Sequence, residues 1–520
     1  MVAHRPSSDA HRPWSIAPRV FCRGPIVLLT LSLLMPARAG AQEAAAVHNA
    51  QALRDSGDLA GAARILRAHL AEHPGDGDAA RLLAQTLYWL KDVPGARREY
   101  EDALALHPGD TTLRVQYARM LVETGSPARA KRLLSPLPDP PGARAEAETL
   151  LGLAAYWEGD LTAARRDFAA ALALNPQNAE ARRHLDEIDA AAAPWFRASA
   201  AAWHDDQPLD RGGFEIEGGM YPSPLTSISV RLRPSRFDTG ASTRTLQSAD
   251  ASLKTYVPAA RIDLDVDVGL TSGSPDLQSS TTWTGGAGAA VRFPAGVKAG
   301  GRASRWRYLY TTASIDTLVM VDSVEAFVHL DRRGWLGEAA FGRQQYPDEN
   351  SIRSAYAWLL APVARSPRGT AQIGYAASTS DAAQSRFVLE TPVQRYPPGD
   401  PRFNFAGVYT PYYTPDHVIT HSVIGAVAAE GRRAAFHGSV SYAFNAHENA
   451  PVLTAIRGAV VRTTAPHAFT PWDARASLSI PAGRRATVEP SAETGRTAFY
   501  SWATASVQVV YRFRSAQPHP

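Results

Sequence analysis

A chain of 520 residues is too long for one ordinary domain, so two or more are expected. Its formal charge of +4 belongs to residues 1–41, where Arg5, Arg12, Arg19, Arg23 and Arg38 face only Asp9; 49 basic and 49 acidic residues remain. That balance leaves no electrostatic footprint for nucleic acid. The single cysteine, Cys22, also lies in this segment, so the rest can form no disulfide, which suits an oxidising compartment.

The first 41 residues read as a signal peptide. A basic stretch precedes the apolar run from Ile26 to Met35, and Ala39-Gly40-Ala41 offers the small residues a signal peptidase reads, with cleavage expected before Gln42. The run is about half the roughly 20 residues of a membrane-spanning helix. Cys22 precedes it, where a lipid-bearing cysteine would follow. Export without lipidation is the expectation.

Residues 42–193 turn to Ala, Leu, Arg and Glu with a repeat of 34. Ala62, Ala96, Ala130 and Ala164 keep that spacing, as do Gly57, Lys91, Gly125 and Gly159. His73-Pro74, His107-Pro108 and Asn175-Pro176 close three units. Alanine allows close helix crossing, glycine supplies the turn, and proline is expected to start the next helix. The pattern resembles tetratricopeptide repeats: four helical pairs, with Ala179 to Ala192 as a capping helix, stacked into a short α-solenoid. Such an array either docks protein partners or acts as a spacer.

From Trp195 to Phe513 the period changes to two. Short-turn signals at 222–224, 258–260, 294–296, 331–334 and 366–369 recur about every 36 residues, and two more follow at 430–433 and 481–484. Seven short turns separate eight hairpins, hence sixteen strands with both ends on the short-turn side. In Ile262-Asp263-Leu264-Asp265-Val266-Asp267-Val268 the aliphatics share one face and the aspartates the other. Strands of about 9–11 residues with alternating short turns and long loops predict an antiparallel transmembrane β-barrel over 194–513, with a tail at 514–520. A soluble sandwich or propeller is the rival, because alternation alone does not say whether lipid or a core meets the apolar face. The longest loop, roughly 380–415, is rich in Pro, Tyr and Phe and is long enough to fold over or into the lumen. The final strand sets Val507, Val509, Tyr511 and Phe513 on one face, as barrel-assembly signals do.

Gly407-Val408-Tyr409-Thr410-Pro411-Tyr412-Tyr413-Thr414-Pro415, Gly438-Ser439-Val440-Ser441-Tyr442 and Phe499-Tyr500-Ser501-Trp502-Ala503 carry a resemblance. They are similar to the C-terminal barrel of the outer-membrane export subunit of bacterial cellulose synthase and of related exopolysaccharide porins with tetratricopeptide repeats. The resemblance covers the plan of nearly the whole mature chain. It implies an outer-membrane barrel, a periplasmic repeat domain docking synthesis or modification partners, and contact with lipid and the barrel-assembly machinery. The cellulose exporter carries many more repeats than four, and here seven residues follow Phe513. A repeat-plus-barrel scaffold with a plugged lumen therefore stands as the alternative, with a secreted soluble lectin or hydrolase behind it.

The candidate lumen residues are Asp250, Lys254, Asp263, Asp265, Asp267, Arg292 and Arg302. The aspartate row would hydrogen-bond sugar hydroxyls or repel anions, or else form a ladder with Lys254, Arg292 and Arg302. Mixed signs point to a neutral or weakly charged glycan. His417 and His421, four residues apart on a strand, are about 13 Å apart and too far for one metal. His204-Asp205-Asp206 reads as a polar loop or a cation site. Gly285 to Ala290 opens no helix, so it is no phosphate loop. No nucleophile-elbow, HExxH or P-loop pattern occurs, and neither catalysis, cofactor nor metal is expected.

Overall fold

The computed structural model describes residues 38–136, 139, 141–207, 209–273, 281–389, 407–456, 459–498 and 500–513. Residues 1–37 with Cys22, the tail 514–520, Phe499 and the middle of the longest loop lie outside the described residues. The chain forms two compact units, one ending at Gly109 and one from Asp110.

The first unit holds α1 (Arg38–Ser56), α2 (Leu59–Glu72), α3 (Gly77–Trp89) and α4 (Val93–Leu106). The second opens with α5 (Thr111–Glu123), α6 (Pro127–Leu133), α7 (Pro141–Glu158), α8 (Leu161–Leu174) and α9 (Ala179–Ala191). These are the four pairs and cap that the 34-residue period requires. Ala62, Ala96, Ala130 and Ala164 are wholly buried at the crossings. Gly57, Lys91, Gly125 and Gly159 turn the chain at φ of 94°, 67°, 77° and 80°, where a side chain is costly. The next helix is then capped by an aspartate in three of the four units. Asp58, Asp92 and Asp160 accept from the Gly61, Gly95 and Ala163 N–H groups at 2.8–3.0 Å. One expectation needs correcting. The closing prolines do not start helices; Pro74, Pro108 and Pro176 lie in the turns, and Asp76, Asp110 and Asn178 cap the helices that follow.

The remainder of the second unit is one closed sheet. Its strands are β1 (Trp195–Asp205), β2 (Leu209–Ser223), β3 (Thr226–Asp238), β4 (Thr243–Val257), β5 (Ile262–Gly273) and β6 (Thr282–Phe293). They continue with β7 (Val297–Arg307), β8 (Met320–Arg332), β9 (Trp335–Gln345), β10 (Ser351–Ser366) and β11 (Gly369–Ala382). After β12 (Phe387–Leu389) and β13 (Gly407–Tyr409), which pair only with each other, come β14 (Val418–Glu430) and β15 (Ala435–Ile456). β16 (Ala459–Ala468), β17 (Trp472–Ala482), β18 (Ala486–Arg496) and β19 (Ser501–Arg512) complete the series. β1 pairs with β2 on one side and with β19 on the other, so the ring has no edge. β16 pairs only with the far part of β15 and extends a hairpin beyond the ring. Sixteen strands therefore form the wall, joined through all seven anticipated short turns. A sandwich or propeller is excluded by this closure.

Side chains obey the pleat. Leu264, Val266, Val268 and Leu270 of β5 point outward and are 38–59% exposed, as are Ile216, Val230, Val324, Phe341, Val440 and Val507 elsewhere round the ring. Their common exposure makes sense only against an apolar solvent. Phe293, Trp335 and Phe513 lie near the short-turn end of this band and Trp283, Phe444 and Trp472 toward the other. Val509 is likewise exposed, and the Tyr511 and Phe513 rings meet edge to face at 5.2 Å. No helix among the described residues is long and apolar enough to cross a membrane.

Candidate conduit and its mouths

The inward positions alternate with the greasy ones and are mostly polar. Asp263, Asp265 and Asp267 stand in one column, as the alternation required. Asp263 takes Arg292 at 2.5 Å and Lys298 at 3.0 Å, while the Arg302 guanidinium spans Asp265 and Asp267. Lys254 lies across from Asp265 in the β4–β5 register but forms no ion pair among the described residues. Asp250 meets Arg233 at 3.6 Å, and Arg233 also holds Glu215 at 3.1 Å. Glu217, nearly buried, binds Arg197 at 2.9 Å and Arg231 at 3.2 Å. The seven anticipated lumen residues thus fall inside the ring, six of them within a self-neutralising ladder. Arg197, Glu215, Glu217, Arg231, Arg233 and Lys298 belong to the same ladder and went unnoticed in the sequence. Their strands alternate less cleanly, and single-sequence reading does not give register.

At the short-turn end the ladder finishes on Arg292, whose guanidinium lies 3.9 Å above the Tyr256 ring. The α7–α8 turn adjoins this point, since a Cβ on Gly159 would lie 3.7 Å from the Tyr256 ring.

The opposite mouth is narrowed by two loops. Residues 308–319, with the short helix α10 (Thr312–Asp316), turn inward so that Ile315 packs on the inward-facing Leu209, Phe237 and Leu246. Asp316 is fixed by Arg244 at 2.8 Å. From the other side Tyr412 enters among Val319, Val321, Tyr346 and Ile352 and stacks on Tyr346 at 3.7 Å. The two loops touch where the Thr311 hydroxyl donates to the Pro411 carbonyl at 2.6 Å. Tyr412 also donates to Asp348 at 2.7 Å, and Arg386 binds that carboxylate at 2.5 Å. Burial alone would raise the Asp348 carboxyl, but these hydrogen bonds outweigh it and hold it below its usual value. Tyr413 is anchored on the buried Glu448 at 2.7 Å. So the described end of the longest loop does fold into the lumen, joined by a second loop that the sequence did not single out. Beside them Trp203 stacks on Trp502 at 4.7 Å with the Arg211 guanidinium over the Trp203 ring, and Trp203 and Arg211 line a small pocket with Leu309 and Tyr310.

His204-Asp205-Asp206 serves as loop structure. Asp205 accepts the Gln207 and Leu209 N–H groups at 2.9 Å, Asp206 accepts that of Ser501, and His204 meets Asp210 at 2.6 Å. His417 and His421 go separate ways: His421 pairs with the Tyr375 hydroxyl at 2.5 Å, and His417 with Asp416 at 2.7 Å. Asp381, Asp416 and His417 bring possible metal-ligand atoms within 4.8 Å of one another. Their bonds are internal. The Asp416 hydrogen bond raises the His417 imidazole, and the His417 backbone N–H donates to Asp381 at 3.0 Å.

A family model described as tetratricopeptide repeat matches residues 53–102 and 91–154. No curated protein matches the chain in sequence. Among solved structures the chain is similar to a bacterial polysaccharide outer membrane secretin, at 9% identity and a TM-score of 0.44, over 62% of this chain and 99% of that one. Its helical part is similar to PilW, a widely conserved type IV pilus biogenesis factor, at 19% identity and a TM-score of 0.27, over 28% and 68% of the two chains. The repeats and the edgeless ring define the class themselves: a tetratricopeptide-repeat β-barrel protein of the outer-membrane type.

Proposed function

We propose that this chain is an outer-membrane porin that passes a neutral or weakly charged exopolysaccharide outward, with residues 42–193 in the periplasm docking synthesis or modification partners. The observation that carries the reading is the lumen: a sixteen-stranded ring is wide enough for an aqueous path, and its charges cancel in neighbouring pairs rather than presenting one sign. A conduit for a strongly ionic polymer calls for an uncompensated ladder of the opposite charge. No covalent chemistry is required of the barrel. The leader delivers the chain, and the closing face of Val507, Val509, Tyr511 and Phe513 serves the assembly machinery.

The scaffold reading, with a plugged barrel, draws on one observation: α10 and Tyr412 occupy the outer mouth. In a producing cell, loss of the protein is expected to strand polymer in the periplasm, and a chain lacking the 308–319 loop to restore secretion. Unchanged extracellular polymer without the protein would contradict export; restoration by the intact repeats with the barrel blocked would favour the scaffold.

A further inference from the structure

The lumen wall has two unlike sides. On β1–β9 and on β17–β18 the inward positions carry the ion pairs described above together with Glu325, Glu338, Arg475 and Glu493. On the four consecutive strands β10, β11, β14 and β15 the inward positions between the two mouths carry no Asp, Glu, Lys or Arg.

This uncharged side has a shape. Trp358 lies midway along β10, directly across from Ala376, which faces Ser422, which faces Ala443. One indole is therefore followed round the wall by three small residues, a trough about 14 Å wide at the usual strand spacing. The next row toward the outer mouth sets Tyr356 beside Ser378 and Thr420. Tyr356 is fixed by donating its hydroxyl to Glu338 at 2.5 Å. The Trp358 indole N–H makes no hydrogen bond among the described residues.

We propose that a single neutral glycan chain travels along this uncharged side, its sugar faces passing over Trp358 and its hydroxyls exchanging among Ser378, Thr420 and Ser422; this rests on the export reading above. The electron-rich indole face suits the polarised C–H face of a pyranose with equatorial hydroxyls. Hydroxyl-lined small residues give contacts weak enough to release the chain, which passage requires. The ion-paired side holds its donors and acceptors in mutual bonds and has fewer to offer.

The test uses the full chain in planar bilayers, with a β-1,4-linked gluco-oligosaccharide as probe and a polyuronate oligosaccharide of equal length as the charged comparison. Neutral oligosaccharide is expected to block the current in resolved events. Trp358→Ala shortens those events three- to tenfold, Trp358→Phe restores most of the residence, and Val440→Ala, on the outward face of β15, leaves it unchanged. Conductance itself reports that each variant is folded. Open channels blocked equally by wild type and Trp358→Ala would overturn the track while leaving export standing. Longer blocks by the polyuronate would overturn the neutral ligand. A chain that never conducts would overturn the export reading and the track together.

Discussion

Arg302 is the residue on which the aspartate column depends, because one guanidinium serves both Asp265 and Asp267. Replacing it by Gln removes the positive charge and leaves two carboxylates facing the water of the lumen. The cation-over-anion permeability ratio, read from the reversal potential in a salt gradient, is expected to rise at least about twofold; an unchanged ratio would mean the column does not face the path. Gly152 shows the same economy of space in the helices. A Cβ there would lie 2.6 Å from the buried Phe168 ring. Gly152→Ala is therefore expected to cost about 1–3 kcal/mol in thermal unfolding of the helical signal, and a neutral outcome would mean the α7–α8 contact is looser than drawn. The aspartate column was legible from three alternating letters. Lys298 and the Arg231–Glu217 pair were not, because their meaning lies in register.

Single elements divide by what local sequence encodes. The repeat turns were readable because each unit presents the same problem: a backbone at positive φ, solved by glycine three times and by Lys91 once. Lys91→Gly relieves that strain, partly offset by a floppier unfolded chain, and is expected to add about 0.5–1 kcal/mol to the first unit's stability in denaturant. A loss of stability would show that the lysine side chain matters more than its backbone. The mouth loops were illegible for the opposite reason. A five-residue helix such as α10 has no period, and nothing local says that Ile315 packs under Leu246 or that β15 overshoots the ring to meet β16. Asp348 gives the 407–417 loop a pH signature. A carboxyl held below its unfolded value near 3.9 stabilises above that value, and the contribution fades as pH falls through the lowered folded one. Amide exchange in 407–417, corrected for intrinsic rates, is thus expected to stay flat from neutral pH to about 5 and accelerate only below roughly 4. Acceleration already at pH 6 would contradict the Asp348–Tyr412–Arg386 anchor.

At the scale of the whole molecule, fold and function hang on the sidedness of one wall. Both ends of the ring, Trp195 and Arg512, lie at the short-turn end, so α9 runs directly into β1 there and the long loops gather at the other. That arrangement followed from an even strand count and needed no side-chain detail. Which surface meets lipid is the remaining premise, and the chain offers a clean way to test it, since its only cysteine is Cys22, far from these strands in sequence. Single cysteines placed in turn at 263 to 268, in intact outer membranes, can be challenged with a small membrane-impermeant thiol reagent. Labelling is predicted at 263, 265 and 267 and absent at 264, 266 and 268. Uniform labelling, or the opposite alternation, would contradict the barrel's orientation toward lipid and the conduit with it.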